Sequence, residues 1–193
     1  MALAREPPLI VGLGGTVRTP SSSERVLTAA LAAAEAAGAR TQLIGGAILS
    51  RLPIYNPNDE EHPPERSALV EAVRSADGII VSTPGYHGSL SGLIKNALDS
   101  LEPLRHDVRP YLDGRAVGCI VVADGWQACG SALASLRGIV HALRGWPTPL
   151  GATLNSATQP FDEFGALKSE RDIWQVATVA QQVVEFANRW AEE

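Results

Sequence analysis

The chain has 193 residues and a mass of 20.4 kDa, enough for one well-filled domain or at most two very small ones. At this size folding buries roughly 70% of the unfolded surface, so stability requires neither a metal nor a disulfide. Sixteen basic against 21 acidic residues leave a net charge of −5, which argues against the basic face of a general nucleic-acid binder; 45% hydrophobic and 19% charged residues exclude wholesale disorder.

In chain order, residues 9–13 (Leu-Ile-Val-Gly-Leu) are a short apolar run suited to a buried strand. A polar loop over 14–23 precedes a helix over 24–37. That helix carries Val26, Leu27, Ala30, Leu31 and Ala34 on one face and is stopped by Gly38. Residues 40–44 read as a second strand. The stretch 45–64 is rich in Gly, Pro and Asn and holds the acidic patch Asp59-Glu60-Glu61. An irregular connection of that length in a small domain is usually functional or covers a site.

A short helix is expected over 67–75 and an uninterrupted strand over 78–83, stopped by Pro84. Residues 85–89 form a loop before a helix that turns Leu93, Ile94, Ala97, Leu98 and Leu101 inward. Residues 116–123 are a fourth strand and 124–130 a loop. The next helix has Leu133, Leu136, Val140 and Leu143 in one stripe. A weaker fifth strand spans 148–154, and a closing helix spans 173–190. Strands that are apolar throughout, alternating with helices, imply a single α/β domain over residues 1–193. Its expected architecture is a doubly wound, five-stranded parallel sheet with helices on both faces.

No run approaches the ~20 apolar residues of a membrane helix, and the N-terminus shows no apolar core before a cleavage site. Cys119 and Cys129 fit no CxxC or metal-ligand spacing, and His62, His106 and His141 are scattered, so neither a disulfide framework nor a metal site is expected. These features describe a cytoplasmic protein without nucleic-acid or membrane partners.

In open α/β sheets, ligands bind at the carboxyl ends of the strands. The loops that matter are therefore 14–23, 84–89 and 124–130. Three familiar motifs begin in these regions and fail. Gly12-Leu13-Gly14-Gly15-Thr16-Val17 has Val17 where a dinucleotide fingerprint needs its last glycine, and no ribose-binding acid ends strand two. Gly88-Ser89-Leu90-Ser91-Gly92 puts Leu90 at the nucleophile position of GxSxG. No GxxxxGK[ST] occurs.

The first loop, Gly15-Thr16-Val17-Arg18-Thr19-Pro20-Ser21-Ser22-Ser23, is instead dense in hydroxyls, holds one arginine and directly precedes a helix. Helix N–H groups, hydroxyls and a guanidinium are the parts that hold a terminal phosphate. Ordinary helix capping is the competing explanation of the same serines. Of the 16 basic residues only Lys95 and Lys168 are lysine, and neither is placed for this loop, which leaves Arg18 as its fixed charge. In Thr83-Pro84-Gly85-Tyr86-His87-Gly88-Ser89, small residues allow close backbone approach to a flat ligand, and Tyr86 offers an aromatic surface. A plain strand-to-helix turn is the alternative there.

Together these loops resemble the NADPH-dependent FMN reductase family, of flavodoxin-like fold. Its first signature, Gly-Ser-x-Arg-x-x-Ser-x-Asn/Ser, is met by Gly15, Thr16 (in place of Ser), Arg18, Ser21 and Ser23. Its second, Thr-Pro-x-Tyr-x-x-Ser-x-x-Gly-x-x-Lys-Asn-x-x-Asp, is met by Thr83, Pro84, Tyr86, Ser89, Gly92, Lys95, Asn96 and Asp99. The resemblance implies that Thr16, Arg18, Ser21 and Ser23 hold the FMN phosphate. It also implies that Pro84, Gly85, Tyr86, His87, Gly88 and Ser89 line the isoalloxazine ring, with Asp124 and Gly125 contributing from the third loop. That loop keeps two glycines of the family's Gly-Gly-x-x-Gly-Gly and adds Trp126, which suits either a ligand stack or packing against a helix or subunit.

The activity so implied is hydride transfer from NADPH to FMN and on to free flavin, a quinone or a similar small-molecule acceptor. Backbone amides of Gly88 and Ser89 would meet the charge of the reduced ring, and no general base or covalent nucleophile is expected. A partner monooxygenase receiving reduced flavin and a homodimer or homotetramer also follow from the resemblance. Leu90-Ser91-Gly92 stands where the family commonly has Ile/Leu-Pro-Gly, as in its sulfonate-linked members, yet no tyrosine insertion follows in the 131–143 helix, so the acceptor stays open. Two other readings compete: a flavodoxin-type electron carrier without its own nicotinamide site, and a non-redox phosphate-ligand protein of the same fold. Cys129 reads as a bystander thiol, His87 as a solvent-facing loop residue, and Lys95 and Asp99 as a surface pair.

Overall fold

The structure, a computed structural model, describes residues 6–58 and 63–190. The acidic patch at 59–61 and His62 lie outside the described residues. Four parallel strands carry the sheet: β1 (Leu9–Gly14), β2 (Arg40–Ile44), β3 (Gly78–Tyr86) and β5 (Ala116–Ala123), in spatial order β2-β1-β3-β5. The chain leaves β1 for β2 on one side and reaches β3 on the other. That reversal of direction is where an open α/β sheet opens a crevice.

Side chains alternate between two cores. Val11, Leu13, Ile79, Val81, Val117 and Cys119 face α3 (Pro64–Ser75), α4 (Gly92–Asp99) and α5 (Trp126–Ala142). Ile10, Ile80, Ile120 and Val122 face α1 (Ser22–Ala36) and α6 (Glu170–Trp190). The period of two is what a strand covered on both faces requires. All five residues expected on the inner face of α1 are buried. Gly12 and Gly118 let the helices of the second face lie close: an added Cβ would sit 2.8 Å from Leu31 Cδ1 and 2.6 Å from Val179 Cγ1 respectively.

Four expectations are corrected. Of the fifth strand expected over 148–154 only the end is strand, β7 (Ala152–Asn155); the separate β6 (Trp146–Pro147) precedes it and both pair with β5, because Pro147, Pro149 and Gly151 cannot sustain a continuous ladder. Pro84 does not stop β3, which runs on to Tyr86. Beyond the Gly14–Ser82 pair β1 no longer flanks it, so a residue without an N–H is tolerated. From there β3 turns back into β4 (Ser89–Leu90) through His87 and Gly88, whose φ values of 50° and 88° make a two-residue hairpin turn. The supposed loop 124–130 is mostly helix: Gly125, at φ 95°, redirects the chain and α5 begins at Trp126. The connection after β2 also contains the short helix α2 (Gly46–Leu49).

Two polar devices complete the frame. Arg115, almost fully buried, donates to the carbonyls of Arg74, Ala76, Tyr111 and Asp113 at 2.8–3.2 Å, satisfying the end of α3; burial pulls its pKa down to about 10. Along β7, the Gln175 side chain accepts from Thr153 N and donates to Thr153 O, both at 3.0 Å, and Gln182 accepts from Leu150 N at 3.1 Å. Side chains of α6 thus take the place of a further strand and blunt the sheet edge.

Candidate functional site

The first wall of the site is the turn from β1 into α1. Gly15 adopts φ 117°, where a Cβ would meet Gly46 N at 2.6 Å. Thr16 Oγ1 accepts from Arg18 N and donates to Arg18 O, each at 3.1 Å, which shapes the loop. Ser21 caps α1 by accepting from Glu24 N, and its hydroxyl lies 3.2 Å from that of Ser23. Both the capping and the ligand readings of these serines are therefore compatible with the geometry. Ser82 Oγ donates to Ser23 O at 2.7 Å, fastening the helix start to β3. Glu24 reaches α2, where its Oε2 accepts from Gly46 N at 2.7 Å.

The second wall is the end of β3. Thr83 Oγ1 accepts from Ser91 N at 3.1 Å and donates to Pro84 O at 3.0 Å; Ser91 in turn caps α4 by accepting from Ile94 N at 3.3 Å. Ser91, where the family commonly carries proline, is thus a helix cap tied to Thr83. The third wall is the end of β5 with Asp124. It is braced from β7: Asn155 Oδ1 accepts from Gly125 N at 2.9 Å and from Ala157 N at 3.0 Å.

Between these walls lies a cleft of about 380 Å³. Thr16, Arg18, Ser21, Ser23, Pro84, Gly85, Tyr86 and Asp124, all expected from the sequence, line it. His87, Gly88, Ser89 and Gly125 do not: the first three belong to the hairpin beyond Tyr86, and Gly125 turns away into α5. Arg25, Ser22, Pro20, Val122, Ala123 and Ser156 complete the lining and were not anticipated. Ser156 directly follows the fifth strand, so the rule that selected the other loops would have found it. Arg25 lies one turn after Ser21, whose carbonyl accepts its N–H at 3.0 Å, and that spacing was a legible signal.

The donor set fits a phosphorylated flat ligand. Two guanidinia, Arg18 and Arg25, oppose a single carboxylate, Asp124, and the hydroxyls of Thr16, Ser21, Ser22 and Ser156 surround them. Beside this polar end, Pro84, Gly85, Tyr86, Val122 and Ala123 supply apolar surface; Tyr86 is half-exposed. Cofactor pockets likewise combine apolar walls with a few convergent charged and polar groups.

The NADPH-dependent FMN reductase model matches residues 8–159, a span holding every residue of this cleft. The chain belongs to that family. It is 35% identical over 121 residues to the FMN-dependent NADPH-azoreductase of Staphylococcus haemolyticus (strain JCSC1435), covering 61% of this chain but only 60% of the relative, less than two thirds of its length. The flavoenzyme NAD(P)H:acceptor oxidoreductase of Paracoccus denitrificans superposes with a TM-score of 0.72 over 94% of this chain and 98% of the other, at 19% identity. An archaeal flavodoxin superposes with a TM-score of 0.63 over 93% of this chain and 98% of the other, at 10% identity. The flavodoxin-like fold is thereby established, with the fifth strand divided.

Other residues singled out in the sequence have structural places in this family member. Cys129, on the inner face of α5, is buried 3.4 Å from Leu154 O, and burial raises its thiol pKa; burial likewise pushes the Cys119 thiol up to about 12. Neither is a poised nucleophile. Trp126 is half-exposed with the Arg171 guanidinium 5.2 Å from its ring, a contact between α5 and α6. His87 is exposed at the hairpin turn. Lys95 and Asp99 pair at 2.7 Å on the surface of α4. Asn96 fixes the 53–55 segment, accepting from Tyr55 N at 2.8 Å and donating to Pro53 O at 3.0 Å. Among the described residues no cluster of His, Cys, Asp and Glu could hold a metal, and no helix is long and apolar enough to cross a membrane.

Proposed function

We propose that the chain is an NAD(P)H-dependent flavin reductase that binds FMN in the cleft between β1, β3 and β5 and passes electrons to a small-molecule acceptor. The observation that carries this reading is the union, in one cleft, of the arginine- and hydroxyl-rich first loop with the Pro84–Tyr86 wall, in a member of this family. When bound, the flavin supplies the ring that takes a hydride from a nicotinamide and gives up two electrons in a later step.

The protein's part is orientation and charge. Arg18 and the head of α1 hold the phosphate through charge-assisted and backbone donors. Pro84 and Gly85 let the main chain approach the ring, and Tyr86 sits at its rim. Asp124, the one acid in the cleft, is the group best placed to disfavour a second anion at the far wall. Free FMN handed to a monooxygenase, a quinone and an azo compound are all acceptors compatible with this arrangement; the last is supported by the name of the staphylococcal relative. A cytoplasmic location and a homodimer or homotetramer belong to the same proposal.

An absorption spectrum of the purified protein with FMN, recorded before and after NADPH addition, tests it. Retained flavin bleached by NADPH and reoxidised by a quinone is the expected result. Retained flavin that NADPH does not bleach would favour the electron carrier, and a colourless protein that retains no FMN would favour the non-redox binder.

A further inference from the structure

We propose that Arg25 is a second phosphate-reading cation of the cleft, and that with Arg18 it makes the site select a phosphorylated flavin over an unphosphorylated one. The inference rests on the flavin reading above and adds to it a residue outside the first-loop signature.

Arg25 lies in the first turn of α1, its N–H bonded to Ser21 O at 3.0 Å. The positive end of a helix disfavours a cation in that turn. Arg18 shares the same cleft and adds a like charge. The neighbouring Glu24 carboxylate is turned to α2, where it accepts from Gly46 N at 2.7 Å, and forms no ion pair with either arginine. Among the described residues, neither Arg18 nor Arg25 forms an ion pair. Two guanidinia lining one cleft at the positive end of a helix favour an anion between them. A phosphate dianion supplies the missing charge.

Arg25 is also aimed rather than free to swing. Its guanidinium carbon lies 5.7 Å from the centre of the Phe161 ring, within cation–π range. A Cβ added at Gly165 would touch the same carbon at 3.4 Å, so the segment between β7 and α6 closes around the side chain. Held beside the ring, the guanidinium still has N–H groups for two phosphate oxygens, the fork in which arginine differs from lysine. Arg25 is exposed, so its replacement does not disturb the core.

The test titrates the full-length, flavin-free protein with FMN and with riboflavin, following flavin fluorescence. Wild type should hold FMN more tightly. Arg25→Gln should weaken FMN by roughly tenfold, the effect of one charge-assisted contact at an exposed site, and leave riboflavin within about twofold. Arg25→Lys should fall between the two, and Phe161→Leu should reproduce part of the loss by freeing the guanidinium. Equal loss for both flavins, or no loss for FMN, overturns the proposal. So does an effect confined to the NADPH-over-NADH preference, which would assign Arg25 to the nicotinamide nucleotide's phosphate. A wild-type protein that holds riboflavin as tightly as FMN would refute the phosphate assignment of the first loop itself.

Discussion

Asn155→Ala is the most direct probe of how the cleft is held in shape. Asn155 is 8% exposed, and its Oδ1 accepts from Gly125 N at 2.9 Å and from Ala157 N at 3.0 Å. The two donors differ in what they lose. Gly125 is half-buried and sits where β5 passes into α5, so its orphaned amide forfeits about 1–2 kcal/mol; Ala157 is exposed and recovers most of its bond from water. The sum, about 1.5–2 kcal/mol, corresponds to a fall of roughly 3–8 °C in Tm for a domain of this size. Thermal unfolding of Asn155→Ala and Asn155→Asp, followed by circular dichroism, measures it. Asp keeps an acceptor oxygen at the same place and should recover most of the loss. If Ala and Asp unfold at the same lowered temperature, the acceptor role is wrong; if Ala matches wild type, the brace contributes nothing. Because Asp124 and Ser156 flank this brace and line the cleft, the Ala variant should also bind FMN more weakly than its loss of stability alone explains.

Arg18→Ala should weaken FMN binding about tenfold to a hundredfold, the equivalent of 1.5–3 kcal/mol; an unchanged Kd refutes its phosphate role. Burial holds the Cys119 thiol at about 12 against an ordinary 9.0, so above pH 9 the unfolded chain releases a proton that the folded one keeps. Stability should therefore be indifferent to this group below pH 9 and fall by about 1.4 kcal/mol per pH unit from there to about 12, a slope that Cys119→Ala should flatten in urea unfolding curves. Gly118→Ala should destabilise by about 1–3 kcal/mol, since its methyl would sit 2.6 Å from Val179 Cγ1 and 3.2 Å from Val183 Cγ2; calorimetry showing an unchanged Tm would mean that α6 gives way at no cost.

The architecture was legible because apolar runs and helical stripes report burial directly: the inner face of α1 and the strands over 40–44 and 116–123 stand where their patterns put them. Errors arose where one residue's backbone overrides composition. Gly125 turns the chain by itself, so the glycine at 130 marks no loop and lies within α5. Pro149 and Gly151 keep the first half of the weak strand expected over 148–154 out of the ladder. In the site, Thr16, Arg18 and Ser21 were found through a local motif. Ser156 comes from more than 130 residues away and is juxtaposed by the pairing of β7 with β5; no local motif marks it, and only its place at the carboxyl end of the fifth strand does. Arg25 carried one local signal, its place one turn after Ser21, but an arginine on an exposed helix face is ordinary and its place in the cleft beside Arg18 comes from the fold.

The buried polar side chains explain how loops from four strands can hold one ligand without a covalent or metal brace. Ser23, Ser82, Thr83, Ser91 and Asn155 are all buried, and each stands at the carboxyl end of the sheet. Their hydrogen bonds link neighbouring walls in sequence: Ser82 to the start of α1, Thr83 to Ser91 and hence α4, Asn155 to Gly125. Asp172 and Gln175 extend the chain of bonds to β7 through Thr153. Burying a polar group without a partner is costly, so each link fixes one geometry rather than several. The braces lie behind the walls, and the guanidinia and hydroxyls of the cleft lie in front of them. Binding then requires little reorganisation of the frame, which is the condition for placing a flat ring and a phosphate at once. The same division explains why a net charge of −5 is no obstacle to an anionic cofactor: the cleft itself is lined by two arginines against one aspartate, and exposed charges elsewhere are screened.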